Sequence, residues 1–240
     1  MATRQFNIFV EGTDDHDLIL ALVHEIRAIK PHPTKANTRK GGVVTSYREL
    51  QPFGDTLIIS STGGWSKLGK NQGTFIQEAR DSGGRTLVVF DADYDTDNTE
   101  SAIKHESGGP VKRREAILAK LAPFDSNPDV FLFPGPAQPG DLEMLLLQLT
   151  QPKHQRVMDC YSSYEECLQQ FLNSDGSFHY NAPSNKRRIY DYVNVMPLEG
   201  NEWERHHKEG GQKIFENADI WNLHAPAIQP LRNFLDHCLP

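Results

Sequence analysis

RTLVVFDADYDT, residues 85–96, is the stretch whose reading decides the fold. Within it Leu87, Val88, Val89 and Phe90 form an unbroken apolar run, with the turn signal Ser82-Gly83-Gly84 before it and acid after it. A run of this kind suits a strand buried on both faces, as in a parallel sheet. Asp91, Asp93 and Asp95 then follow at alternate positions. If strand geometry continues past Phe90, at least Asp91 and Asp93 share a face. Two unit charges ~4 Å apart repel by about 4 kcal/mol at an effective dielectric of about 20. A hard divalent cation with oxygen ligands offsets that repulsion, and so do water and salt around a solvated acidic loop. Taken alone, the stretch leaves both readings open.

Upstream, residues 5–10 (QFNIFV) have the β-prone character of a first strand, which stops at Glu11-Gly12. Residues 14–29 read as an amphipathic helix, with Leu18, Leu22, Ile26 and Ile29 at helical spacing and Ile19 and Val23 widening the stripe. Thr13 or Asp14 suits its N-cap. Glu11 therefore falls at a strand-to-helix junction, where open α/β sheets place ligand groups. Asp14 and Asp15 are also what a helix dipole favours in a first turn. Residues 30–42 (KPHPTKANTRKGG) form a basic loop, whose Lys35, Arg39 and Lys40 either contact phosphate or sit in solvent. Residues 43–47 suit a short strand and 56–61 a stronger one, which runs into Thr62-Gly63-Gly64-Trp65. That turn leads into a helix expected near 66–80, whose N-terminus suits an anion. The P-loop pattern GxxxxGK[ST] is absent, and the glycines serve a plain turn equally well.

Downstream, residues 97–109 are polar and unpatterned. Residues 111–121 suit a helix with Lys112, Arg113 and Arg114 in its first turn, and 129–133 (DVFLF) a fourth clear strand. After a proline-bounded loop, Gly140-Asp141-Leu142-Glu143 opens an apolar helix over 144–149. Capping and dipole effects alone account for acids in that position. Strands followed by helices, four times over, indicate an α/β domain with a mostly parallel sheet across residues 1–150. Residues 151–240 read as a helical, loop-rich region packed on that core, with helices expected at 161–172, 185–193 and 225–239. Lys186, Arg187 and Arg188 bring three cations together there.

Composition narrows the function classes. A chain of 240 residues can bury about 70% of its unfolded surface and needs no staples. A net charge of −7 excludes a histone-like binder, but not a nuclease that is basic only where phosphate sits. Cys160, Cys167 and Cys238 show no CxxC spacing, which favours free thiols in a reducing compartment over disulfides or zinc. With no signal-peptide profile and no apolar run of membrane-span length, a soluble cytoplasmic protein without a membrane partner is expected. His206-His207 reads as a surface pair. Trp65, Trp203 and Trp221 read as packing residues before base-stacking ones.

Three motifs in order now carry a resemblance: VEGTDD at 10–15, VVFDADYD at 88–95 and GDLEMLLL at 140–147. Together they resemble the Toprim domain of topoisomerases, bacterial primases and small nucleases. The chain is most similar to stand-alone Toprim-like proteins related to the overcoming-lysogenization-defect nucleases. The resemblance covers residues 5–150, with a weaker echo at Lys186. It implies a Toprim-like α/β core and a metal-dependent nuclease acting on DNA or RNA, with anti-phage defence as a setting. It further implies that Glu11, Asp91, Asp93 and Glu143 bind one or two Mg²⁺ or Mn²⁺ ions, with Asp15 and Asp95 as secondary ligands. Glu11 can instead serve as general base or acid, and Lys186 (or Arg187) would neutralise the scissile phosphate.

Lys35, Arg39, Lys40, Lys112, Arg113, Arg114, Arg187 and Arg188 would track the nucleic-acid backbone, a sequence-independent and salt-sensitive contact. The chain departs from the larger relatives of that fold. It has no topoisomerase tyrosine context, no cysteine zinc ribbon and no ATP-binding motif, so an ATPase would be a separately encoded partner. A second reading is a catalytically silent or partner-gated interaction module working with such an ATPase. A third is a haloacid-dehalogenase-like phosphatase, although its DxDxT or DxDxV motif belongs near the first strand and here the fifth residue is Asp95. A DxD glycosyltransferase would leave the Glu-Gly strand end and the Asp-Leu-Glu helix start unexplained. Homo-oligomer formation is left open.

Overall fold

The apolar runs at residues 5–10 and 87–90 lie side by side at the centre of one sheet. The computed structural model describes residues 3–33, 35, 37–40, 43–69, 71–94, 108–208 and 211–240. The chain runs through β1 (Gln5–Val10), α1 (Thr13–Ile26), β2 (Ile29–Pro31), β3 (Asn37–Lys40), β4 (Val43–Leu50) and β5 (Asp55–Ser61). Next come α2 (Gly73–Ser82), β6 (Arg85–Asp91), α3 (Pro110–Leu121), β7 (Asp129–Phe133) and α4 (Leu142–Leu147). The remaining helices are α5 (Gln155–Gln169), α6 (Asn185–Asn194), α7 (Gly200–His207) and α8 (Gln229–Cys238). The chain divides into one unit of Met1–Leu145 with Pro226–Pro240 and another of Leu146–Ala225.

In the first unit the sheet order is β2-β4-β5-β1-β6-β7, with β3 also paired to β4. β5, β1, β6 and β7 are parallel, and β4 closes one side antiparallel to β5. The expected α/β architecture with a mostly parallel central sheet is therefore the one observed. Both faces are covered, which is why β6 needs four apolar residues in a row. On one face Phe9, Val88, Phe90, Val130 and Leu132 pack with Ile76 of α2 and with Ile117 and Leu121 of α3. On the other, α1 lies over β1, β4 and β5, while α8 lies over β7 and beside α1. Each such buried side chain contributes about 1.5–3 kcal/mol relative to exposure.

Several local expectations need correction. Residues 30–42 are not a plain loop, because β2 and β3 pair with successive parts of β4. Their lysines and prolines suit the outer edge of a sheet, where charge and proline discourage further pairing. The helix expected to reach residue 29 ends at Ile26, and Ile29 opens β2. The helix expected from residue 66 starts only at Gly73, after a single 3-10 turn at Trp65–Lys67. Residues 226–240 group with the sheet and not with the rest of the C-terminal region.

The second unit builds a small core of its own. Ile189, Tyr192 and Val193 of α6 are buried, as are Phe215, Ile220 and Trp221. The Tyr192 hydroxyl donates to the Ile220 carbonyl at 2.7 Å, and the Trp221 indole N–H donates to the Lys213 carbonyl at 2.6 Å. Both aromatic polar groups are thus satisfied inside. Among the described residues no helix is long and apolar enough to cross a membrane.

Candidate metal centre

Strand order decides where ligand-binding groups can gather. β1 and β6 are neighbours, yet β1 leads into α1 on one face of the sheet and β6 leads toward α3 on the other. The chain therefore diverges at their carboxyl ends and leaves a crevice there, the usual ligand position of an open parallel sheet. Glu11 follows β1, Asp15 lies in the first turn of α1, Asp91 ends β6, and Glu143 lies in the first turn of α4.

Backbone groups hold three of these acids by one oxygen each. After β5 the chain turns through Gly63 and Gly64, both at positive φ, and their N–H groups donate to the Glu11 carbonyl at 3.0 and 3.1 Å. That turn, which L side chains would strain, delivers the Trp65 N–H to Glu11 Oε1 at 3.0 Å. The Gly12 N–H donates to Asp15 Oδ2 at 3.0 Å, and the Leu142 N–H donates to Asp91 Oδ1 at 2.8 Å. The second oxygens of Glu11 and Asp15, Oε2 and Oδ1, are shut off from solvent and have no hydrogen-bond partner among the described residues. A buried polar atom without a partner costs about 1–3 kcal/mol, and more if charged.

The electrostatics agree with this geometry. Burial first, and then the charge of Glu11, pushes the Asp15 carboxyl up to about 7. Burial likewise holds Asp91 well above the usual carboxylate range, and the charges of Asp15, Glu11 and Glu143 add to it. Glu143 is thereby placed within electrostatic reach of Asp91, while Asp141 caps α4 by accepting from the Met144 N–H at 2.9 Å. Among the described residues no three His, Cys, Asp or Glu side chains close around a point as a finished metal cage. What the crevice does offer is a set of oxygen donors, two of them buried and unsatisfied. A hard cation such as Mg²⁺ or Mn²⁺ fits that donor set.

Asp93 departs from its expected place. The strand ends at Asp91, and Asp93 adopts the left-handed conformation at φ 56°. It bridges to Gly140, with N–H to carbonyl bonds of 2.8 and 3.0 Å in both directions. Alternation is broken, so Asp93 does not share a strand face with Asp91, and its carboxylate pairs with Arg113. The bridge needs glycine at 140, whose φ is 136° and where a Cβ would stand 2.3 Å from the Met144 sulfur. Asp95 lies outside the described residues.

Arg113 also contradicts its expectation as a backbone-tracking cation, because it is fully buried. Its guanidinium lies 4.6 Å from the centre of the Trp65 ring, and beyond the ion pair with Asp93 none of its three nitrogens has a hydrogen-bond partner among the described residues. Burial lowers its pKa, against the raising influence of Glu11 and Asp91. Arg113 thus brings a positive charge within electrostatic reach of Glu11 and Asp91.

The other expected cations are dispersed. Lys112 is exposed on α3, and Arg114 donates to the Val130 carbonyl at 3.1 Å. The Lys35 ammonium lies 5.3 Å from the centre of the Tyr47 ring. Arg39 and Lys40 fall in β3, with their side chains outside the described structure. In the second unit Lys186 is exposed in the first turn of α6, Arg187 pairs with Asp191 at 2.7 Å, and Arg188 pairs with Glu165. The expected surface pair His206-His207 is half right. His207 is exposed and stacks on Trp203, whereas His206 is buried, donates from Nδ1 to the Gln212 carbonyl, and is held below its ordinary pKa by burial.

Compared with known families, residues 5–240 match the model of a family described as "Protein of unknown function (DUF3226)". No curated protein matches the chain.

Proposed function

The chain belongs to the DUF3226 family, and from its own crevice we propose that it is a Toprim-like, Mg²⁺- or Mn²⁺-dependent nuclease that hydrolyses phosphodiester bonds in DNA or RNA. The observation carrying this reading is the set of acids from β1, α1, β6 and α4, in which Glu11 Oε2 and Asp15 Oδ1 are buried without partners. A structural role for buried carboxylates would satisfy them with donors, as Arg4 does for Asp55. Acids left unsatisfied beside one another are better explained by a positive ligand.

In this reading Glu11, Asp15, Asp91 and Glu143 hold the ion. The chemistry supplied there by a bound ion would be a lower pKa for bound water and stabilisation of charge on phosphate oxygens. The chain's own contribution is rigid placement. The Trp65 and Leu142 N–H groups fix Glu11 and Asp91, so their oxygens need no reorganisation when charge develops. In the metal-free chain burial and the charge of Glu11 hold the Asp15 carboxyl at about 7, so a cation bound at Oδ1 would displace a proton there near neutrality. Arg113 and Asp93 tie α3 to the turn after β6 and keep the acid-bearing segment from moving away.

Free Cys160 and Cys167 on the surface suit a reducing compartment, in keeping with a cytoplasmic setting. A gated module acting with a separate ATPase is the second reading, and Arg113, buried as a standing counter-charge, favours it in a form that is active only once its cation and partner are present. The test is incubation of purified protein with labelled plasmid DNA and with total tRNA, in Mg²⁺ or Mn²⁺. Cutting that EDTA and the Glu11→Ala/Asp91→Ala double variant both abolish is the expected result, and the substrate cut identifies the nucleic acid. Cutting that the double variant retains would overturn the site.

A further inference from the structure

α5 is a helix of 15 residues in which none is buried. The segment after it folds back through a bridge between Leu172 and Phe178, with the His179 N–H donating to the Phe171 carbonyl at 2.8 Å. Polar bonds stabilise that turn from within, including Asn173 N–H to the Ser177 carbonyl at 2.8 Å and Ser177 Oγ to Asp175 at 2.6 Å. Yet Tyr164, Phe171, Leu172, Phe178 and Tyr180 are each 47% to 60% exposed. Phe171 and Tyr180 touch edge to face with ring centres 5.4 Å apart and Leu172 bridges to Phe178, so these four form a cluster, with Tyr164 seven residues before Phe171 along the chain. Single exposed apolar residues need no explanation, but a contiguous cluster does.

Charge and area point to the occupant. From Cys167 to Asn185 the only formally charged residue at neutral pH is Asp175, with His179 neutral. A nucleic-acid surface would need cations to meet phosphate, and α5 with this turn offers only Arg156 against Asp159, Glu165, Glu166 and Asp175. Charge depletion with enrichment in Tyr and Phe is what the core of a protein–protein interface shows. An aromatic side chain spans roughly 150–250 Å², so these five half-exposed residues present on the order of 500 Å². A two-fold pairing of that patch with itself would bury about 1,000 Å², the lower bound of a specific interface, before neighbouring residues are added. An isologous contact requires only that the patch match itself, which the turn at residues 170–180, with Asp175 as its one charge, does with little charge conflict, while Glu165 of α5 is already paired with Arg188.

We propose that a second copy of this chain covers α5 and the turn at residues 170–180, making a homodimer. Cys160 and Cys167 lie on α5 seven residues apart, on the same helix face as Tyr164, and both are free and exposed. An antiparallel pairing of two α5 helices about Tyr164 would set Cys160 of one copy opposite Cys167 of the other.

Sedimentation equilibrium of the full chain under reducing conditions tests this directly. The wild-type chain is expected to be dimeric at tens of micromolar, and Phe171→Glu/Phe178→Glu to raise the dimer dissociation constant by on the order of 100-fold. Both positions are exposed, and circular dichroism will show that the variant keeps its helices. Mild oxidation of the wild-type chain should give a covalent dimer that Cys160→Ser/Cys167→Ser lacks. A wild-type chain that stays monomeric across the range, or a dimer that survives the Phe171→Glu/Phe178→Glu change, would overturn the proposal. Binding of a single-stranded oligonucleotide that only this variant loses would overturn it in favour of a nucleic-acid face.

Discussion

The crevice at the ends of β1 and β6 and the surface of α5 break the same rule in opposite directions. In the crevice, charged oxygen is buried without partners, and on α5, aromatic carbon is exposed without cover. Elsewhere the exceptions are isolated ones, such as Arg188 Nε, His206 Nε2 and the exposed Phe53. The sheet core is apolar, Tyr192 and Trp221 find acceptors for their buried polar groups, and Asp55 is buried only because Arg4 pairs with it at 2.7 Å. Local cost that nothing nearby repays marks the places where something outside the chain belongs. The sign of the misfit says what that partner is, a cation for the acids and an apolar surface for the aromatics.

The largest effect separating the two regions should come from the acids. Glu11→Gln or Asp91→Asn is expected to lower metal-dependent cleavage by on the order of 10³. The same changes should leave the metal-free fold as stable as wild type or more so, since each removes a repelled charge. A loss of fold alongside the loss of activity, read from circular dichroism, would reduce the acids to structural groups. Arg113→Met should act the other way, costing about 3–5 kcal/mol of stability by leaving Asp93 uncompensated. Chemical denaturation measures this, and adding Asp93→Asn should restore much of the loss if the pair is what matters.

A saturating divalent cation should raise the thermal midpoint. At a hundred times its dissociation constant it contributes about 2.7 kcal/mol, and differential scanning calorimetry of wild type against Glu11→Gln/Asp91→Asn reads the difference. The pH dependence has a definite sign. Asp15 has a folded pKa of about 7 against an ordinary 3.8, so between those values the folded chain holds a proton that the unfolded chain has lost. Metal-free stability therefore falls as pH rises from about 4 through about 7 and then levels. Urea midpoints at pH 5 and pH 8 should show that fall in wild type and much less of it in Asp15→Asn. The smallest effect belongs to α5, where Tyr164→Ser in dilute solution should change stability by no more than about 0.5 kcal/mol. Ile8→Ala in the sheet should cost about 2–5 kcal/mol by the same measurement.

β1, β6 and β7 were legible because a strand covered on both faces must be apolar throughout, and so were their acidic ends. β3 was not, because an edge strand can be as polar as a loop, and pairing with β4 is a non-local fact. The alternation of Asp91 and Asp93 failed because a left-handed residue ends the strand, and nothing in DADY announces the bridge to Gly140. Two residues whose burial was not expected did leave a signal. Arg113 stands four and eight residues before Ile117 and Leu121, the buried stripe of α3, so its helical position already turned it inward. Asp15 likewise precedes Ile19 and Leu22 at i+4 and i+7, which places it on the buried side of α1 and not with the solvent-facing acids. In both cases charge was weighed before periodicity, and periodicity was the better guide.

Binding of Mn²⁺ to the purified chain, followed by electron paramagnetic resonance during a titration, tests the central claim without knowledge of the substrate. The acids predict saturable binding that Glu11→Gln/Asp91→Asn abolishes and that Phe171→Glu/Phe178→Glu leaves unchanged. Binding absent from the wild-type chain, or equal in the acid variant, would contradict the account.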